Sequence, residues 1–375
     1  MISKVILLVP NRMPTEKAYG VTISETQKAF RLLDIECQIW CTSSSKSISL
    51  VNGEIFRTLT RNFKSPRFRI FEKSSFQWTR VKFLFLALIK IDNNTSTLVW
   101  TRDAIASLLV LRFKKNARVA LELHHPVGRI DSLIIKCLFP AFNKTSQNFR
   151  VFLLTPALRN SIPKKLADSF SSVIHMASPP EFYTSKRTPN PDNSITVALI
   201  GKATSSGNSN QLELIIGMLL TELSDFAKLK LLIAGIEDSH INKFKSMIPS
   251  ELLDSGRVVI LGHLSRAQVL GSLMKVDIGI VPYLSNKYND FRFPIKVVEF
   301  ASTSCALLAS RTASLEAILG ENAMYFDLNR PDSLRNCLNE LSNDRAQLEK
   351  YKNLAKKWSL DYTYEKRVKI VLSSF

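Results

Sequence analysis

Long apolar runs are missing from this 375-residue chain. The longest, Phe83 to Ile89, is far shorter than the roughly 20 residues a membrane-spanning helix needs, so no such helix is expected. Before Pro10 stand one early lysine and the short run Val5 to Val9, too little for a secretory leader. The expected location is cytoplasmic, with peripheral attachment to the inner face of a membrane as the variant raised below. Cysteine is scarce and scattered, at 37, 41, 137, 305 and 337, with no CxxC pair. Most of these positions lie in apolar surroundings, which favours reduced core thiols over disulfides or metal ligands. A GxGxxG is absent, and with it the dinucleotide-binding fingerprint. No internal repeat or low-complexity tract is evident. Acidic residues are few, 32 against 51 lysines and arginines, for a net charge of +19.

What is present is ordinary globular material, 45% hydrophobic and 22% charged, in a chain long enough for two cores. The charge is unevenly spread. Residues 1–190 hold 29 basic against 12 acidic side chains, and residues 191–375 hold 22 against 20. A half that basic points to a polyanionic partner: an anionic membrane surface, a phosphorylated lipid or nucleic acid. The densest basic stretch, RTLTRNFKSPRFRIFEK, carries Arg57, Arg61, Lys64, Arg67, Arg69 and Lys73 among aromatic and large apolar residues. Residues 74–90 follow as an amphipathic helix. Together they read either as a segment lying in a membrane interface, cations on lipid phosphates, or as a basic loop before a helix packed on a sheet. No recognition module for nucleic acid is present, so that partner is not expected.

Along the chain, KVILLVP (4–10) reads as a buried strand. It is followed by a polar loop containing Gly20, a helix from about Ser24 to Leu33, and the strand ECQIWC (36–41). The strand TLVWTRD (97–103) ends at Arg102, and RVALELHHP (118–126) ends in Glu122, His124 and His125. Polar residues at the carboxyl ends of parallel strands are where open α/β sheets bind ligands; a histidine pair there equally well caps the strand. Zinc is not expected, because no other His or Cys has ligand spacing nearby. After a proline-rich segment near 180–194, a second strand–helix series runs from ITVALIG (195–201) through strands at 230–235, 257–262 and 276–282. Such alternation predicts parallel sheets with helices on both faces.

The most informative stretch is Asn286 to Glu316. Asp290, Arg292, Lys296 and Glu299 gather in a turn and short helix between apolar runs, and Pro294 suits a first helical turn, where its missing N–H has no partner. Cys305 to Ser310 is a short apolar run of the kind buried on both faces of a sheet. A helix N-terminus aimed from such a sheet suits an anionic ligand; the pattern alone equally allows a surface helix with a solvated charged face.

With these motifs the chain resembles the family 4 glycosyltransferases of the GT-B fold over nearly its whole length. FRFPIKVVEFASTSCALLASRTASLEAILGENAMYFD resembles the family's P-x-K-x-x-E helix, its strand ending in Ser, and the following turn and Glu; LVWTRD and VALELHHP resemble its N-terminal strands. The resemblance implies an α/β architecture of two Rossmann-like doubly wound domains facing a cleft: residues 1–185 binding the acceptor, a linker at 186–194, residues 195–357 binding a nucleotide-sugar, and a helix at 358–375 crossing back. It implies that Glu299 holds the ribose hydroxyls, and that Phe293, Pro294, Ile295 and Lys296 face the diphosphate. Gly201 and Lys202 follow the first strand of the donor domain, and His124 stands near the reacting sugar. Gly20, Arg102, Glu122 and His125 fall to the acceptor side of the cleft.

Two departures from the family pattern stand out. The loop GKATSSGNSN (201–210) has Lys202 at the first cationic position and a polar residue such as Asn208 at the second. The family's first glutamate is replaced by Phe291, with Asp290 its acidic neighbour. The resemblance implies a retaining, hexosyl-type transfer needing no metal or bound cofactor, with the nucleotide-sugar as co-substrate and a glycan or lipid-linked acceptor in surface-polysaccharide assembly of the lipopolysaccharide kind. The alternative is a catalytically inactive GT-B subunit that binds glycan or supports a partner.

Overall fold

The computed structural model describes residues 1–375 except 11–12, 14–17, 43–47, 52–53, 59–71, 129–145, 189, 191, 202–208 and 227. It divides into two compact units, Met1–His175 with Tyr364–Phe375, and Met176–Thr363.

The first unit is built on β1 (Lys4–Val9), β2 (Glu36–Cys41), β3 (Ile48–Val51), β4 (Glu54–Thr58), β5 (Thr97–Thr101), β6 (Arg118–Leu123), β7 (Phe149–Leu153) and β8 (Ser171–Val173). Among the described residues these form one sheet in the order β3-β4-β2-β1-β5-β6-β7-β8. All pairings are parallel but the β3–β4 hairpin. That hairpin was not foreseen, and it puts Arg57 in a strand where a loop was expected. Arg61, Lys64, Arg67 and Arg69 lie outside the described residues. Helices α1 (Ala18–Arg31), α2 (Glu72–Lys90), α3 (Ala104–Phe113) and α4 (Lys164–Phe170) belong to this unit; Lys73 opens α2. Helix α1 starts a full turn and more before the expected Ser24, so Gly20 is a buried helical residue and not part of a loop. Burial of Ile23, Phe30 and Gln27 against the sheet outweighs the roughly 1 kcal/mol that a glycine costs a helix.

The second unit has β9 (Ile195–Ile200), β10 (Leu229–Ala234), β11 (Val258–Ile260), β12 (Ile278–Val281), β13 (Ala306–Ser310) and β14 (Met324–Phe326). They form an all-parallel sheet in the order β11-β10-β9-β12-β13-β14. Its helices are α5 (Pro180–Thr184), α6 (Ser209–Asp225), α7 (Asp238–Ser246), α8 (Ser250–Asp254), α9 (Arg266–Leu273), α10 (Ile295–Ser302), α11 (Ala313–Leu319), α12 (Pro331–Asn343) and α13 (Arg345–Ser359). The last helix, α14 (Tyr364–Ser373), packs on α1 of the first unit. Strands β9, β12 and β13 are almost wholly apolar because helices cover both faces of the sheet.

The segment 186–194, expected as a linker, is tied to the second unit by several contacts, a buried carboxylate and the Thr188 amide on Met274 O (3.0 Å) among them. Asp277 accepts from Arg187 Nη2 (3.0 Å), Lys352 Nζ (2.8 Å) and the Thr196 amide (3.0 Å), just before β12. Helix α10 is set by a close contact: the Phe300 ring lies on Gly279 of β12, where an added Cβ would stand 2.3 Å from the ring. Phe300 itself is buried.

Gly279→Ala is therefore expected to destabilise the protein by about 1–3 kcal/mol through overpacking. The decrease should be read as a lower urea midpoint at unchanged slope, and Gly279→Ala with Phe300→Leu should recover part of it.

Candidate functional site

In each sheet the chain reverses direction of winding once, between β1 and β5 in the first unit and between β9 and β12 in the second. A crevice opens at such a switch point, beyond the carboxyl ends of the strands. The sequence-predicted polar residues of each unit collect there.

In the second unit Gly201 directly follows β9, and its amide donates to Ala234 O (2.9 Å). The missing side chain matters: a Cβ at Gly201 would lie 2.6 Å from the Lys296 ammonium, so glycine leaves the room that this cation uses. Lys296 stands in the first turn of α10. Its Nζ is 5.5 Å from the centre of the Tyr283 ring, and the Arg292 guanidinium is 5.7 Å from the same ring, so two cations share one aromatic ring just after β12. Pro294 is the residue that caps α10, one position outside the first turn expected for it, with φ −71° and ψ 133°. Ile295 and Lys296 thus open the helix, and the Pro294 carbonyl accepts from the Val297 amide (3.1 Å).

Local sequence holds this helix start in place. Ser310, at the end of β13, donates to Tyr283 O (2.7 Å) and accepts from the Tyr283 amide (2.7 Å). Thr312 caps α11 through the Leu315 amide (3.3 Å), and Ser314 donates to Arg292 O (2.8 Å). Asn286 accepts the amides of Tyr288 and Asn289 (both 2.9 Å), a turn that brings Asp290 to the Ser285 hydroxyl (2.9 Å to each carboxylate oxygen). At Phe293 the side chain is taken up by packing. It is buried against Tyr362 and Trp358, ring centres 5.7 and 6.3 Å away, so it anchors the turn and only the backbone of this residue is near the helix start.

Glu299 lies one turn after Lys296 and is buried, with 5% of its surface exposed. It is not on a solvated face: Arg266, at the start of α9, donates through Nη1 to Glu299 Oε1, and stacks 4.6 Å above the Phe182 ring of α5. Sequence reading missed Arg266, since an arginine just after a Ser cap looks like any surface helix residue. Lys202 and Asn208 lie outside the described residues.

In the first unit a cavity of about 580 Å³ opens at the switch point, lined among others by Tyr19, Arg80, Arg102, Glu122, His124 and His125. Arg102, Glu122, His124 and His125 are thus brought together; Gly20 is not among the lining residues. Glu122, at the end of β6, is the centre. Its Oε2 accepts from Trp100 Nε1 (2.9 Å), and its Oε1 pairs with Arg102 Nη2 (3.1 Å), Arg367 Nη2 (2.6 Å) and His124 Nε2. Burial would push the Glu122 carboxyl up, but Arg102 and Arg367 outweigh it and hold it well below the usual carboxylate range. His124 is pushed down to about 4, first by burial and next by the Arg102 cation, against the weaker pull of Glu122. It is therefore a neutral imidazole at physiological pH. Arg80, from α2, pairs with Asp103 (2.6 Å), which also caps α3 through the Ala106 amide. Arg80 and Arg367 were not singled out in the sequence; their partners are remote, and only the fold reveals them.

Among the described residues no cluster of His, Cys, Asp and Glu is arranged to hold a metal ion, and no helix is long and apolar enough to cross a membrane. No protein-family model and no curated protein matches the sequence. Solved structures do. Sucrose-phosphate synthase from Thermosynechococcus elongatus superposes with a TM-score of 0.69 at 12% identity, covering 99% of this chain and 98% of that one. HepE of Anabaena, in complex with UDP and glucose, gives 0.67 at 12%, covering 99% of both chains. TarM gives 0.67 at 11%, covering 100% and 99%. Likeness of this extent identifies the fold: two Rossmann-like α/β units of the GT-B class.

The cluster around Glu122 makes two measurable predictions. Glu122→Gln leaves the buried Arg367 and the half-buried Arg102 without their counter-ion and should cost about 3–5 kcal/mol in chemical denaturation. His124 binds its proton less tightly folded than unfolded, so stability should fall as pH drops from 6.5 to about 4, by roughly 3 kcal/mol from this residue. His175, also lowered by burial, acts in the same direction. Glu122, with its depressed value, keeps its contribution above about 4.5 and loses it progressively as pH falls further. His124→Gln should flatten the slope of unfolding free energy over that window.

Proposed function

We propose that the chain is a retaining glycosyltransferase of the family 4 type, moving a sugar of hexosyl kind from a nucleotide-sugar to a glycan or lipid-linked acceptor in surface-polysaccharide assembly. The observation that carries this reading is the convergence of Gly201, the start of α10, the Lys296 ammonium and Glu299 at the β9–β12 switch point. A diphosphate needs cations and free amides, and a ribose needs a carboxylate to accept its vicinal hydroxyls; here the two requirements are met one helical turn apart. The presence of UDP and glucose in one HepE structure and of UDP-glucose in another supports a uridine nucleotide-sugar as the first donor to test.

In this reading Glu299 takes the ribose diol, with Arg266 holding one carboxylate oxygen so that the other is presented. The amides at Ile295 and Lys296, flanked by the Phe293 and Pro294 backbone, take the diphosphate with the ammonium groups of Lys296 and Lys202. Asp290, oriented by Ser285, takes a hydroxyl of the donor sugar. As the anomeric C–O bond breaks, its electron pair leaves on the diphosphate. The acceptor oxygen bonds to the anomeric carbon from the same face, and its proton passes to the departing phosphate oxygen. Stabilising that leaving charge is the main catalytic contribution, which cations supply without a metal. Arg102, Glu122, His124 and His125 line the acceptor cavity. A second reading, a non-catalytic GT-B subunit, is favoured by Arg266 already sitting on Glu299 and by Phe291 at the family's first-glutamate position.

We also propose an anionic membrane surface as a partner of the first unit. Val81, Phe85 and Ile89 recur at four-residue spacing on α2 and are 57%, 62% and 61% exposed. Lys82 and Lys90 are exposed beside them, and α3, which packs on α2, ends in exposed Arg112 and Phe113. Apolar side chains entering the headgroup layer with cations on lipid phosphates is the chemistry of an interfacial helix.

Calorimetry and turnover with UDP-, GDP- and ADP-glucose should show binding and slow hydrolysis of one donor. Glu299→Ala and Lys202→Ala should each lower turnover by about 100- to 1000-fold; unchanged turnover in both overturns the transferase reading, and binding of none of the three favours the non-catalytic one. Phe85→Glu should cut co-sedimentation with phosphatidylserine vesicles several-fold, and added salt should weaken what remains.

A further inference from the structure

We propose that Arg367, on the C-terminal helix α14, is a positioning residue for the cavity of the first unit: with Arg102 it fixes Glu122 so that His124 is kept in its Nε2–H form, leaving Nδ1 as an acceptor for a substrate hydroxyl. The proposal rests on the transferase reading for its purpose and on geometry for its substance.

Arg367 is unlike its neighbours on α14. Glu365 and Lys369 form an exposed ion pair on the surface, whereas the Arg367 side chain is almost completely buried. Its Nη1 donates to the His175 carbonyl, which ends the run of the first unit after β8. Its Nη2 reaches Glu122 Oε1 at 2.6 Å, and its guanidinium lies 5.5 Å above the Trp100 ring, while the Trp100 indole itself donates to the other oxygen of Glu122. Both oxygens of Glu122 are therefore fixed, and the carboxylate has no freedom to turn. His124 Nε2 meets the same Oε1. A carboxylate only accepts, so the proton on that contact is on Nε2, and a neutral imidazole then has a bare Nδ1.

Burial comes first in keeping the ring neutral, and charge adds to it. One carboxylate, Glu122, already faces two guanidinium groups, Arg102 and Arg367; a protonated His124 would add a third cation to a buried cluster with a single anion. The other ionisable neighbours do not alter the balance. His125 lies with its ring 6.5 Å away, Arg80 and Asp103 pair with one another, and His175, itself lowered by burial and by Arg367, favours neutrality. Tyr364 comes from the same helix as Arg367 and acts on Arg102. A carboxylate behind a histidine ordinarily makes it a better base. Here burial and the two arginines outweigh that effect, so His124 orients a hydroxyl and does not remove its proton. This fits a reaction in which the leaving phosphate takes the proton. It also makes the last helix of the chain a working part of the first unit.

The test uses the full chain labelled with 15N-histidine, with His124→Gln to assign the signal. In the unaltered protein His124 should show the Nε2–H tautomer and remain neutral until the pH approaches about 4. Arg367→Met, which keeps the apolar bulk and removes the charge, should raise that midpoint by about one unit and mix the tautomers. Hydrolysis of UDP-glucose should then gain a new acidic limb in its pH profile. Arg367→Lys should keep the low midpoint. An Nδ1–H tautomer or a midpoint above 6 in the unaltered protein overturns the proposal, even if Arg367→Met does not fold; so does a folded Arg367→Met with an unmoved midpoint. Failure to turn over any nucleotide-sugar bears on the transferase reading, while the tautomer measurement stands by itself.

Discussion

A parallel sheet covered by helices on both faces has no place for a polar side chain except where its strands begin or end. That constraint governs both units. Along β1, β5, β6, β9, β12 and β13 the buried positions are almost entirely Val, Ile, Leu, Ala and a few aromatics, and an unpaired charge among them would cost several kcal/mol. Ionisable groups are accordingly pushed to the strand ends, and at those ends they are paired: Asp277 before β12, Glu122 at the end of β6, and Glu299 on the helix after β12.

The two ends of the sheets do different work. At the amino end of β12, Asp277 gathers Arg187, Lys352 and the Thr196 amide into a pin that ties the segment after α5 and the long helix α13 to the sheet. At the carboxyl ends the charges gather where the strand order reverses on either side of β1 and of β9, and in the first unit they line a cavity. Glycine enters this scheme at two places for steric reasons. Gly279 admits the Phe300 ring and so sets the seat of α10, and Gly201 leaves space for the ammonium that α10 carries.

Much of this was legible in the sequence. The buried strands announce themselves as short apolar runs, and the Asn286–Glu316 stretch, with a Pro before a helix and a Ser at the end of a strand, marks the second switch point. The errors have local causes. Gly20 looks like a loop residue because glycine disfavours helices, yet tertiary burial carries α1 through it. The β3–β4 hairpin has no strong alternation, and β4 takes its place by pairing with β2. Phe293 lies in a ligand-like motif but is consumed by packing on Trp358 and Tyr362.

The amino-acid sequence by itself determined the α/β class, the two-part layout, the basic first half, and which strand ends and which helix start carry polar chemistry, because these follow from periodicity, composition and short motifs. Only the tertiary structure decided the partners. Arg367 reaches Glu122, Arg266 reaches Glu299, and Lys352 reaches Asp277, each across a long stretch of chain. In sequence each of these cations sits in a polar helix where a solvated position is the ordinary outcome. What selects it is the cost of leaving a buried carboxylate without a counter-charge, and that cost exists only after the sheets have closed.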